Sequence, residues 1–305
     1  MSVEKENMRK TVKPILKLLV IIFVLAALGF ICFRILDKVI SHFSGPKREA
    51  EIAPIPEETI RILEGWTIRD IGQYFENAGK WQSEEFLEVA GFPLVDYRRE
   101  ENLPPLIDQT DNFSFLESKP EYFGLEGYLF PDTYRIYASS TVSEVISKML
   151  DNFDQKLTAK MRTDIKKQGK TIHEIITMAS LIEKEAPIDY VDAENRDARI
   201  ISGIFWNRLE IGQALQSDAT LSYIFNDNNP QHSGTELAVD SPYNTYKYPG
   251  LPPGPICNPG LVAINAAIYP IETNYYYFLT PKNERSVIYS RTYQEHLNNK
   301  YKYLK

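Results

Sequence analysis

Cysteine and histidine are scarce in this chain. Among 305 residues there are two cysteines, Cys32 and Cys257, and four histidines, His42, His173, His232 and His296. Two cysteines allow one bridge at most. Cys32 lies inside an apolar run, so no disulfide framework is expected. The histidines are scattered, with no HExxH and no cysteine pair at ligand spacing, and no metal site is expected. There is no Gly-rich phosphate loop and no G-x-S-x-G turn. Ser44 to Lys47 matches S-x-x-K in form only, within a Gly-Pro linker. Positive charge is short as well: 34 Lys and Arg stand against 41 Asp and Glu, for a net charge of −7. A nucleic-acid binder needs a basic surface to meet phosphates, and this balance argues against one.

One long apolar run is present. Residues 1–17 are polar and basic, Leu18 to Phe33 is uninterrupted apolar sequence, and Arg34 to Ile40 continues it with charges that can snorkel. The run is near the lower limit for a bilayer core, with Lys17 and Arg34 able to reach headgroups. No A-x-A-like cleavage site follows, so an uncleaved anchor is expected rather than a signal peptide. The expected layout is a cytoplasmic tail at 1–17, a transmembrane helix at 18–40 and a Gly/Pro linker at 41–56. The basic flank places the N-terminus in the cytoplasm and the remainder outside it.

Beyond the linker, Thr59 to Leu63 alternates as a short strand. Helices are expected over Ile68–Asn77, with Ile68, Ile71, Tyr74 and Phe75 inward, and from Ser83, read as a cap, to Ala90. This β-helix-helix unit, opening with Gly65-Trp66-Thr67, resembles a LysM glycan-binding module. With its connecting loop it is placed at 57–122, and a larger mixed catalytic domain at 123–305. The fold class expected is α+β.

The most informative stretch is Thr171 to Pro187. Thr171 and Glu174 form a capping box, and Pro187 biases Ala186 away from helix. Ile172, Ile175, Ile176, Ala179 and Ile182 make one apolar stripe. Glu183 falls within roughly 40° of its centre, and Glu185 lies about 200° further round. Glu185 therefore reads as a solvated surface charge. Glu183 reads as a carboxyl in an apolar wall, where burial favours the protonated form a general acid needs. A buried ion pair would give the same pattern. Later runs, Ser241 to Tyr246 and Gly250 to Gly260, are too Pro-rich for a central strand. They carry the rings, amides and hydroxyls that sugars meet.

Six motifs in order carry a family resemblance: Glu126 to Tyr134, Ala179 to Glu185, Asn207-Arg208-Leu209, Leu215 to Thr220, Ser241 to Tyr246, and Gly250 to Gly260. With them the chain resembles the YceG-like family of membrane-anchored endolytic murein transglycosylases. The resemblance implies a bacterial lytic transglycosylase that cuts peptidoglycan strands internally at the MurNAc–GlcNAc β-1,4 bond. It would leave 1,6-anhydro-MurNAc ends and terminate or release nascent strands. It implies Glu183 as the catalytic acid and Arg208, Gln216, Asp218, Tyr243, Asn244 and Tyr246 as cleft residues. It implies no metal or cofactor. Peptidoglycan and the membrane are the expected partners, with peptidoglycan synthases as candidates. One departure stands out: Ile288 precedes Tyr289-Ser290 where the family often has a histidine.

A single carboxyl suffices for such chemistry, because the sugar's own C6 hydroxyl attacks C1 and proximity replaces a second group. Gln216, Asn244 and the Tyr hydroxyls are candidate dipoles for the developing charge. Two alternatives stay open. A hydrolytic muramidase would pair Glu183 with Asp218 or Glu126 and a water. A non-catalytic scaffold would bind glycan through the LysM-like unit.

Overall fold

The computed structural model describes residues 2–43, 56–106, 112–189, 195–227, 229, 232–281 and 286–304, with side chains described from residue 17 to 42 in the first stretch. Most of the expected linker, residues 44–55, and part of the connecting loop within 57–122, residues 107–111, lie outside the described residues. The chain divides into two compact units, Met1–Pro54 and Ile55–Lys305.

In the first unit, helix α1 runs over Ser2–Phe43. Its Lys17–His42 stretch is long and apolar enough to cross a membrane, and none of it is buried. A helix that is apolar all round needs an apolar surrounding, which the described residues of this unit do not supply.

The second unit opens with β1 (Glu57–Arg61), which pairs antiparallel with β2 (Thr133–Tyr137), Glu57 opposite Tyr137 and Arg61 opposite Thr133. Helices α2 (Ile68–Asn77) and α3 (Ser83–Ala90) lie between these strands in sequence. A Thr67/Asp70 capping box starts α2, which buries Ile68, Ile71 and Phe75. Trp81 and Phe86 pack on the Phe75 ring, centroids 4.9 and 5.4 Å away. At α3 the expected cap is corrected. Ser83 is the first helical residue, and Gln82 holds the cap position without a side-chain bond. The Ser83 N–H donates to Glu76 instead. Strand β2 begins at the end of the Glu126 to Tyr134 motif, so segments 57–122 and 123–305 share a sheet.

Helices α4 (Val142–Lys156), α5 (Ala159–Lys167) and α6 (Ile172–Glu185) follow. The Thr171/Glu174 capping box is present, with the Glu174 N–H 3.1 Å from Thr171 Oγ1. From Ile175 to Ile182 every residue of α6 is buried. The helix packs against α7 (Arg196–Glu210), α8 (Asp218–Phe225) and α10 (Leu261–Ile268), and so runs through the core. Its buried Ser180 Oγ donates to the Thr177 carbonyl and accepts from the Ile256 N–H.

A four-residue α9 (Gly234–Leu237) precedes the Pro-rich loops. Near the C-terminus β3 (Tyr277–Leu279) pairs antiparallel with β4 (Ile288–Ser290). It is followed by α11 (Tyr293–Tyr303), started by a Thr292/Glu295 capping box. Mixed helix and strand agree with the α+β expectation.

Asn258 joins distant parts of this unit. Its side-chain oxygen accepts from the Gly127 and Leu129 N–H groups, each at 3.0 Å, and its amide donates to the Trp66 carbonyl at 2.9 Å. Its backbone completes the joint, accepting from Gly65 and donating to Trp66.

Candidate active site

An open cleft of about 480 Å³ lies between the start of α2, the end of α6 and one side of α8. Thr67 and Asp70 come from the α2 capping box, Lys184 and Glu185 from α6, and Asp218, Ser222 and Tyr223 from α8. The far wall is the turn after α8. There Asn226 takes a left-handed conformation, φ 54°, which a short polar side chain tolerates, and reverses the chain.

The glutamate that α6 turns into this cleft is Glu185, which corrects its expected role as a solvated surface charge. The wheel assumed that one side of α6 faces water. Because α6 is buried all round, the side opposite the apolar stripe is also protein. Part of the Glu185 side chain remains accessible, yet burial dominates its carboxyl and raises its pKa; the Asp218 charge adds to this. The Ser217 hydroxyl, the Ala219 N–H and the Arg208 charge pull the other way. Ser217 Oγ donates to Glu185 Oε1 at 2.5 Å.

Glu183 turns toward Gly65 and the start of α10. The Gly260 N–H donates to its Oε2 at 2.9 Å, which serves one of the open donors at that helix end. A Cβ on Gly65 would stand 3.6 Å from Glu183 Cγ, so the turn before α2 passes close over this side chain.

The other expected cleft residues divide into two groups. Asp218 lines the cleft and accepts from the Tyr246 hydroxyl at 2.7 Å. Gln216 is exposed, with φ 50°, and its N–H is held by the Thr245 carbonyl at 3.1 Å. Arg208, Tyr243 and Asn244 are buried and engaged elsewhere. The Arg208 guanidinium donates to the Leu215 and Tyr276 carbonyls and stands over the Tyr277 ring. Burial lowers its pKa, while the Glu185 charge supports its ionised form. The Asn244 amide donates to the Leu237 and Val239 carbonyls, and its oxygen accepts from Tyr246 and Lys247. Tyr243 packs on Tyr223 at 5.3 Å. These three hold the loops that carry the cleft residues. Ile288 lies in β4 opposite Leu279.

Glu126 is also buried, at 7 % exposure, behind the cleft wall. It accepts from the Ile68 N–H, the Tyr223 hydroxyl and the Asn258 amide. Burial pushes its carboxyl up to about 8. Ser217, Thr245 and Asn258 were not singled out in the sequence. Short hydroxyl and amide side chains in loops carry no periodic signal that distinguishes a surface residue from a buried joint.

The YceG-like family pattern matches residues 36–302. The endolytic murein transglycosylase of Bacillus subtilis is 39 % identical over 180 residues, 59 % of this chain and 48 % of that protein. The endolytic murein transglycosylase of Streptococcus pneumoniae is 33 % identical over 253 residues, 79 % of this chain and 44 % of that protein. The chain thus spans about half the length of these relatives. The 2.6 Å crystal structure of a yceG-like protein from Listeria monocytogenes superposes with a TM-score of 0.64 at 33 % identity, over 79 % of this chain and 75 % of that one. With a family pattern over most of its length and a solved relative sharing both fold and a third of its residues, this chain belongs to the YceG-like family.

Proposed function

We propose that the chain is an endolytic lytic transglycosylase. It cuts peptidoglycan strands between MurNAc and GlcNAc and leaves 1,6-anhydro-MurNAc ends. Family membership and the names of the relatives support the reaction class. The observation that carries the site is Glu185: a carboxyl raised by burial that still opens onto a cleft. Glu185 therefore takes the acid role that the helical wheel and the family resemblance gave to Glu183.

Glu185 protonates the glycosidic oxygen as the bond to C1 breaks. The carboxylate so formed takes the proton of the C6 hydroxyl as that oxygen closes on C1, and the carboxyl is regenerated. The Asp218 carboxylate, held by Tyr246, faces the positive charge that develops at C1, and the exposed Gln216 is placed to bind sugar hydroxyls. Glu183 holds the start of α10, and Arg208, Tyr243 and Asn244 keep the cleft loops in place.

The test is mass spectrometry of isolated glycan strands digested by the wild type, Glu185→Gln and Glu183→Gln. Anhydro-ended internal fragments are expected from the wild type. The Glu185 variant should lose at least about 100-fold in rate. Glu183→Gln, whose amide oxygen can still accept from the Gly260 N–H, should keep most of the rate and of the stability. A folded but inactive Glu183→Gln beside an active Glu185→Gln would return the role to Glu183.

The presence of Asp218 beside Glu185 favours one second reading, a hydrolytic muramidase using both carboxyls and a water. Reducing ends, heavier by one water, would select it.

The apolar helix fits a membrane anchor. We place its N-terminus in the cytoplasm and the cleft outside, facing strands as synthases extend them. Labelling of Cys32-free single-cysteine variants from either side of intact cells checks the orientation. In-cell cross-linking from the cleft rim to a synthase checks the partner.

A further inference from the structure

Ser217 occupies the N-cap position of α8 and makes no side-chain capping bond. A serine there ordinarily accepts from a backbone N–H of the first turn. Here its hydroxyl donates to Glu185 Oε1 instead, at 2.5 Å. The Ala219 N–H, one of the donors that a capping serine could serve, is hydrogen-bonded to Glu185. Serine and glutamate have in effect exchanged tasks: the carboxylate caps the helix, and the serine holds the carboxylate.

The serine is itself held without slack. Its N–H donates to Thr245 Oγ1 at 3.0 Å, Thr245 and Thr220 share a hydroxyl bond of 3.0 Å, and Thr220 Oγ1 donates to the Ser217 carbonyl at 2.8 Å. With Thr245 donating to Thr220, these bonds form a closed ring in which every hydroxyl hydrogen has an acceptor. The preceding residue, Gln216, adopts φ 50°, which side chains other than glycine rarely take. Ser217 is 2 % exposed.

We propose that Ser217 is the positioning residue of the catalytic carboxyl. Together with the N-terminus of α8, it orients Glu185 and stabilises the carboxylate that forms when the acid gives up its proton. This rests on the reading of Glu185 as the proton-transferring group. The bond from Ser217 strengthens as negative charge grows on Glu185, so it acts on the transition state more than on the bound substrate. Removing it lowers kcat with little change in KM. Its loss also raises the pKa of Glu185, because the hydroxyl favours the charged form, and the alkaline limb of the rate profile moves to higher pH. Among the described residues, the other charged or titratable groups about Glu185 are Lys184 on its own helix, Asp218 and Tyr223 from α8, Asp227 after it, Tyr246, Arg208 from α7 and Asp70 across the cleft.

The experiment uses the full chain in detergent with isolated glycan strands, and measures kcat and KM against pH for wild type, Ser217→Ala, Ser217→Thr and Glu185→Gln. Ser217→Ala is expected to lose roughly 10- to 100-fold in kcat, the worth of a hydrogen bond to a charged group. Its KM should stay near wild type, its alkaline limb should move up, and its thermal midpoint should hardly change. Ser217→Thr, which keeps the hydroxyl, should restore most of the rate and the limb. A Ser217→Ala enzyme with wild-type kcat and limb, beside an inactive Glu185→Gln, overturns the positioning role and leaves the acid intact. An active Glu185→Gln overturns both. A rate loss that only follows a lower thermal midpoint, with no limb shift and no rescue by threonine, makes Ser217 structural.

Discussion

At the scale of single residues, environment separates Glu183 from Glu185 more than distance along the chain does. Their divergence around α6 follows from helical geometry, and that much is legible in the sequence. Which side meets the cleft depends on Gly260, Ser217 and Asp218, from segments far along the chain, and no wheel contains them. Glu126 shows the same limit. It sits in an aromatic, turn-rich run, yet its neighbours Ile68, Tyr223 and Asn258 bury it. Its carboxyl, raised from 4.5 to about 8, keeps a proton that the unfolded chain would release. The stabilisation from this proton is full below the unfolded value and is lost as pH rises through the folded one. The thermal midpoint of the wild type should therefore fall between about pH 5 and about pH 8 through this group, and Glu126→Gln should flatten that fall. An equal slope in the variant would assign the decline to other groups. At the neighbouring Gly127, φ is +88°, and a Cβ would stand 2.4 Å from the Pro255 ring. Gly127→Ala should cost at least about 1 kcal/mol in denaturant unfolding, from strain and clash together.

At the scale of elements, local chemistry was the most readable part. Helix α2 coincides with the range expected from periodicity, and the Thr171 capping box is present as expected. Thr171→Ala should lower stability by about 1 kcal/mol, read as a shift in the denaturant midpoint with an unchanged slope. A change well below this would mean that core packing alone fixes the start of α6. The cap of α3 was misplaced by one residue, because serine can begin a helix as readily as cap it. Strand β2 was hidden for a different reason. It is short, and it exists because β1 lies beside it. Helix α11 exposes Tyr293 and Tyr301 and buries no residue, so it lacks the one-sided pattern by which helices are found. Its Thr292/Glu295 box was the available signal.

At the scale of the molecule, composition located the apolar N-terminal helix and the mixed architecture, because both depend on bulk properties of long stretches. Removing residues 1–54 should move the protein from the membrane fraction to the soluble fraction. Retention in membranes would point to a second attachment in residues 55–305. The joint at Asn258 was not legible, since it links Trp66 to a residue 192 positions away. It also governs when the protein becomes competent during its making. A ribosome releases Thr67 and Asp70 long before it reaches Asn258, and until then the Trp66 carbonyl beside them lacks the amide that holds it. A chain interrupted between Glu185 and the last Pro-rich loop would carry the carboxyl without the Asn258 joint. On the proposed function, such a joint ties the activity to completion of the chain.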